Sequence, residues 1–123
     1  MTQILAIDHV QITVPSEGVP RARDFYCGVL GLPEITKPAA LRDRGGFWLQ
    51  VGDRQLHVGV EDDVDRFATK AHVAFRVDDL AGWRDRLMAA GVELVECITI
   101  PGAKRFEFRD PFGNRIEFLT KGS

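Results

Sequence analysis

Apolar and polar residues alternate along Ile7-Asp8-His9-Val10-Gln11-Ile12-Thr13-Val14, and a period of two marks a strand with one buried face. Val10, Ile12 and Val14 fall on the face suited to a core, while His9, Gln11 and Thr13 share the face suited to a polar pocket. The pattern recurs over Ala71–Val77, with His72, Ala74 and Arg76 opposite Val73, Phe75 and Val77. A His-Val pair therefore occurs at the same place in two half-apolar strands.

Between these strands the period changes. Ala22, Phe25, Tyr26, Val29 and Leu30 follow Pro20 at helical spacing, and Gly31 and Pro33 stop the helix. A short strand is expected at Glu34–Thr36 and an exposed loop at Lys37–Gly46. Strands follow at Phe47–Val51 and Gln55–Val60, separated by the turn residues Gly52-Asp53-Arg54. In the latter, Leu56, Val58 and Val60 oppose Gln55, His57 and Gly59. Glu61–Lys70 reads as a linker.

The second half repeats this order. Asp78 or Asp79 caps a helix that turns Leu80, Trp83, Leu87 and Met88 inward and ends at Ala90-Gly91. Strands are expected at Leu94–Cys97, Lys104–Arg109 and Arg115–Thr120, the last two joined by the turn Asp110-Pro111-Phe112-Gly113-Asn114. His9 and His72 are 63 residues apart, and Gly31 and Gly91 are 60 apart, as are His57 and Glu117. The 60-residue offset also matches Leu56 with Ile116 and Val58 with Phe118, on the assumption of one extra residue in the first module's turn. The expectation is a single 1–123 domain of α+β class, built from two βαβββ modules at about 4–62 and 69–120.

Composition adds exclusions. The 123 residues are 45% hydrophobic and 28% charged, with net charge -2 and pI about 5.9. No basic run interleaves with aromatics, so a nucleic-acid partner is not expected. No apolar run approaches a membrane span and no signal peptide is expected at the N-terminus. Cys27 and Cys97 make no disulfide framework, so reduced thiols and a cytoplasmic location follow.

His9, His57 and His72 are the only histidines, and all lie on polar strand faces, with Glu117 at the position matching His57. Three imidazoles and a carboxylate suit a divalent transition metal such as Zn, Ni, Co, Mn or Fe, should the two halves turn them toward one centre.

The motifs Asp8-His9-Val10, Asp24-Phe25-Tyr26, Val29-Leu30-Gly31-Leu32, Ala71-His72-Val73-Ala74-Phe75 and Asp110–Glu117 resemble those of the vicinal-oxygen-chelate superfamily. That superfamily includes glyoxalase I, bleomycin- and fosfomycin-resistance proteins, extradiol dioxygenases and methylmalonyl-CoA epimerase. The resemblance implies a cup-shaped eight-stranded mixed sheet with helices outside, a homodimer, and metal ligands at His9, His72 and Glu117. The fourth-strand position, acidic or amide in the isomerases and lyases it resembles, here holds His57.

By the same resemblance, a glyoxalase-type lyase or isomerase uses its metal as a Lewis acid on a small molecule that chelates through two oxygens, and Glu117 is the candidate base. Glu107 is a second acidic candidate, with an ion pair to Arg105 or Arg109 as its structural reading. Gln11, Trp48, Arg76, Arg105 and Glu107 are candidate substrate contacts, and Lys70 and Arg109 are further cations for an anionic substrate. A metal-free, bleomycin-resistance-like binder is the alternative. An extradiol dioxygenase is disfavoured, because every histidine is already a candidate ligand and the sole tyrosine, Tyr26, lies on a core stripe.

Overall fold

The computed structural model describes residues 1–98 and 100–121. The chain divides into two compact units, Met1–Asp63 and Val64–Ser123. Each repeats strand, helix and three strands, giving an α+β fold of two βαβββ modules.

In the first unit, β1 (His9–Val14), β2 (Glu34–Ile35), β3 (Phe47–Val51) and β4 (Arg54–Val60) form a sheet in the order β1-β4-β3-β2. In the second, β5 (His72–Arg76), β6 (Val95–Glu96), β7 (Ala103–Arg109) and β8 (Arg115–Lys121) form one in the order β5-β8-β7-β6. In both, the first strand runs parallel to the last, and the other pairings are antiparallel. The parallel pairing requires a long crossover, and the helix of each unit lies within that connection.

The first helix departs from regular geometry. It begins as α1 (Val19–Arg23) and widens into a π-helical turn over Asp24–Val29, with the Leu30 N–H donating to the Phe25 carbonyl. Ala22, Phe25, Tyr26 and Leu30 are all buried. α2 (Leu80–Ala89) is regular and is capped by Asp79, whose Oδ1 accepts from the Gly82 N–H at 3.0 Å. Leu87 is buried, but Met88 is 61% exposed, which corrects its inward assignment. Leu80, Trp83 and Leu87 follow i, i+3, i+7, and Met88 lies one further step of about 100° around the helix. Both helices end alike, with Gly31 and Gly91 at φ 73° and 79°. Val92 N–H donates to the Leu87 carbonyl and Gly91 N–H to the Met88 carbonyl, the Schellman pattern, while Leu32 N–H reaches one residue further back to the Tyr26 carbonyl, in keeping with the π-helical turn before it.

The first unit's core gathers Val14, Tyr26, Phe47, Leu49, Leu56 and Val58. The second is aromatic. Phe118 packs against Trp83 and Phe108 at centroid distances of 5.1 and 4.9 Å, and against Phe75 and Phe106 at 6.1 and 6.0 Å. Val10, assigned to a core face, is 36% exposed. Lys37–Gly46 is not structureless, since a 3₁₀ turn occupies Ala39–Arg44.

The strand register corrects one detail of the repeat. Val51 pairs with Arg54, leaving a two-residue loop, whereas Arg109 pairs with Arg115 around Asp110–Asn114. Residue 48 faces 57 in one unit, and 107 faces 117 in the other. The third strands are thus offset by 59 and the fourth by 60, so the extra residue lies in the second module's turn. The Asp110 carboxylate stabilises that longer turn. Its Oδ1 accepts from the N–H of Phe112 and of Asn114, both at 2.9 Å, and its Oδ2 accepts from Asn114 Nδ2 at 2.8 Å.

Candidate metal and ligand sites

In the parallel pairings, Gln11 lies opposite His57 and Ala74 opposite Glu117, while His9 lies opposite Gln55 and His72 opposite Arg115. Each unit therefore sets a first-strand histidine diagonally across from a fourth-strand candidate ligand. The residues on the other side of that fourth-strand position differ: Trp48 faces His57, and Glu107 faces Glu117.

In the second unit, His72, Glu107 and Glu117 bring one donor atom each to within 4.8 Å of one another. His72 Nδ1 lies 2.9 Å from the Lys70 carbonyl oxygen. A carbonyl only accepts, so Nδ1 carries the hydrogen. Nε2 faces Glu117 Oε1 at 3.2 Å. With Nδ1–H fixed, that gap between a lone pair and a carboxylate calls for a second proton or a cation. Two ligands about 2.1 Å from one ion, at an angle of roughly 100°, stand about 3.2 Å apart. The donor types and their spacing fit a divalent metal, and the Lys70 carbonyl orients the imidazole as an outer partner does in metal sites.

The two carboxylates have different surroundings. Glu107 receives Arg115 in a fork, Nε to Oε1 at 2.9 Å and Nη2 to Oε2 at 2.8 Å. The hydrogen bonds to Glu107 hold the Arg115 guanidinium above its ordinary pKa. An ion pair for Glu107 is therefore observed, but its partner is Arg115 rather than Arg105 or Arg109. Arg105 instead donates from Nη1 to Glu117 Oε1 at 3.3 Å and from Nε to the Ile98 carbonyl. Arg109 donates to the Gly113 carbonyl at 2.7 Å and supports the turn. Glu117 is 7% exposed. Arg76 lies on the exposed face of β5.

In the first unit, the His57 ring is sandwiched. Trp48 stacks on it at 3.8 Å between centroids, and His9 at 4.1 Å. Asp8 Oδ1 lies 2.9 Å from His9 Nδ1, and Gln55 Oε1 lies 2.8 Å from His57 Nε2. The hydrogen bond to His9 lowers the Asp8 pKa. Burial, then the neighbouring His9, lowers that of His57, so the stack favours a neutral ring. Imidazole lone pairs lie in the ring plane, so nearly parallel rings do not aim at one point. Ligation of one ion by both would require one ring to leave the stack. The stack was not foreseen from sequence, although the pairing of Trp48 with His57 across β3 and β4 is the register that produces it.

Gln11 and Trp48 line a first-unit cavity of about 360 Å³. Burial raises the pKa of both Cys27 and Cys97, as expected of unreactive thiols. No helix among the described residues is long and apolar enough to cross a membrane.

The family model described as Glyoxalase/Bleomycin resistance protein/Dioxygenase superfamily matches residues 6–118. Among solved structures, a Bacillus anthracis protein described as of the glyoxalase family is 38% identical, with TM-score 0.91 and 99% of each chain covered. An integron cassette protein of V. Cholerae is 26% identical, with TM-score 0.74 and 99% of each chain covered. FosX, the fosfomycin resistance protein of Listeria monocytogenes, is 17% identical at TM-score 0.78, covering 98% of this chain and 96% of its own, and shares the fold. None of the curated proteins matches the sequence.

Proposed function

The chain belongs to the Glyoxalase/Bleomycin resistance protein/Dioxygenase superfamily, and from that premise we propose that it is a metal-dependent lyase or isomerase of glyoxalase type. Its substrate is a small molecule offering two oxygens to the ion, and it acts as a cytoplasmic homodimer. The observation that carries this reading is the His72 Nε2–Glu117 Oε1 gap of 3.2 Å, with the imidazole hydrogen already given to the Lys70 carbonyl. His72 and Glu117 are the second unit's ligands, and His9 and His57 are the first unit's candidates.

A bound divalent ion supplies Lewis-acid stabilisation of negative charge on substrate oxygens. Glu117 takes the proton from the carbon beside the substrate carbonyl on its other oxygen, Oε2. Arg105, 3.3 Å from Oε1, orients the carboxylate. Glu107, held by both nitrogens of the Arg115 fork, keeps its charge paired and stays out of proton transfer. The Asp110 turn fixes the ends of β7 and β8, on which all four side chains ride. Arg76 is the second unit's proposed substrate contact, and Gln11 and Trp48 are the first unit's.

The test is a screen of α-hydroxycarbonyls and thioesters in deuterated water, with and without added divalent metals, read by loss of the proton signal beside the carbonyl. Metal-dependent exchange that Glu117→Gln abolishes is expected. A compound that binds equally with and without metal and never exchanges would replace this reading with that of a metal-free binder.

A further inference from the structure

The first-unit cavity has walls of one charge sign. Lys37 and Arg44 line it beside Gln11, Leu41, Trp48 and Val60, and no carboxylate does. Lys37 donates from Nζ to the Gly45 carbonyl at 2.6 Å. That acceptor is neutral, so the ammonium keeps its charge and two further donors. Among the described residues no carboxylate pairs with Lys37 or Arg44.

The segment carrying these cations is held in place. Gly45 and Gly46 both adopt positive φ, 73° and 75°. A Cβ on Gly46 would collide with the Val58 carbonyl oxygen, and one on Gly45 would press on Val60 at 3.2 Å. The backbone after the 3₁₀ turn thus lies directly on β4, closer than any side chain allows. Gly59 contributes space from the sheet side, since a Cβ there would meet the Gln11 amide nitrogen at 2.7 Å. The result is a polar pocket within the size range of small-ligand sites, with an amide, two cations and an indole in its lining.

We infer that this pocket binds small organic oxyanions, a carboxylate or phosphate group held by Lys37 and Arg44 with Gln11 as a further donor. The inference adds a charge requirement to the small-molecule ligand of the proposed function, and rests on that reading only in taking the ligand as its substrate. The pocket argument uses first-unit residues alone.

Calorimetric titration of chelator-treated protein with benzoate and phenyl phosphate, against benzamide as the neutral counterpart, tests it. In a Trp83→Phe background, Trp48 fluorescence reports the same binding. The anions are expected to bind and shift Trp48 emission, with benzamide at least roughly tenfold weaker. Lys37→Met and Arg44→Met are each expected to weaken the anions by roughly ten- to a hundredfold, while Arg44→Lys retains most of the affinity. Higher salt weakens binding further. Should Lys37→Met fail to fold because its bond to Gly45 is lost, Arg44→Met carries the comparison. Benzamide binding as tightly as benzoate, anion affinity unchanged in the methionine variants, or no anion binding at all would each overturn the inference. Because the protein is stripped of metal, these outcomes leave the metal assignment untouched, and failure of metal binding leaves them untouched.

Discussion

Asp110→Ala removes the carboxylate that holds the second module's turn. The residue is 3% exposed, and its carboxylate oxygens accept from the N–H groups of Phe112 and Asn114 and from Asn114 Nδ2 at 2.8–2.9 Å. Alanine leaves the Phe112 and Asn114 N–H groups without that acceptor in a half-buried turn. Each newly unsatisfied donor costs roughly 1–1.5 kcal/mol here, toward the lower end of the range because water reaches part of the turn. With the side-chain amide contact, the sum is about 3 kcal/mol. For a chain of this length that lowers Tm by roughly 10–15 °C. Urea unfolding followed by Trp83, which packs edge-on to Phe118 in the same unit, reads the loss. Asp110→Asn keeps an acceptor oxygen and should lose about half as much. A change below about 1 kcal/mol for Asp110→Ala would refute the claim that this carboxylate builds the turn.

Phe118→Ala opens a void among four aromatic rings and should cost about 3–5 kcal/mol by the same unfolding assay. In metal-stripped protein, His57 makes stability depend on pH. Its folded pKa lies below the ordinary 6.5, so the unfolded chain binds more protons between the two values, and stability is full above about 6.5 and is lost as pH falls. His9, Asp8 and Lys37 are the charged neighbours that act on it. His57→Phe should flatten the dependence of Tm on pH below 6.5, and an unchanged slope would refute this.

The module order was legible because period-two strands and glycine-stopped helices are written locally, as at His72–Arg76 and at Gly31 and Gly91. Side-chain partners were less legible. Glu107 was paired by expectation with Arg105 or Arg109, its neighbours along β7, but register puts Arg115 of β8 within reach. The longer hairpin belongs to the second module rather than the first, because the 60-residue offset of the fourth strands says nothing about the length of the turns before them. The π-helical turn has no periodic signature that distinguishes it from an α-helix over six residues. The pocket cations Lys37 and Arg44 lay in a segment that its polarity marked only as exposed loop. What places them is the pair of glycines laid against β4.

The central claim is that His72 and Glu117 share an ion. Elemental analysis of protein purified without chelator, for the wild type, His72→Ala and Glu117→Gln, tests it directly. The account predicts near one divalent metal per chain in the wild type and little or none in either variant, with all three folded by circular dichroism. Metal content unchanged in both variants, or absent from the folded wild type even after incubation with Zn, Ni, Co, Mn and Fe(II), would contradict it.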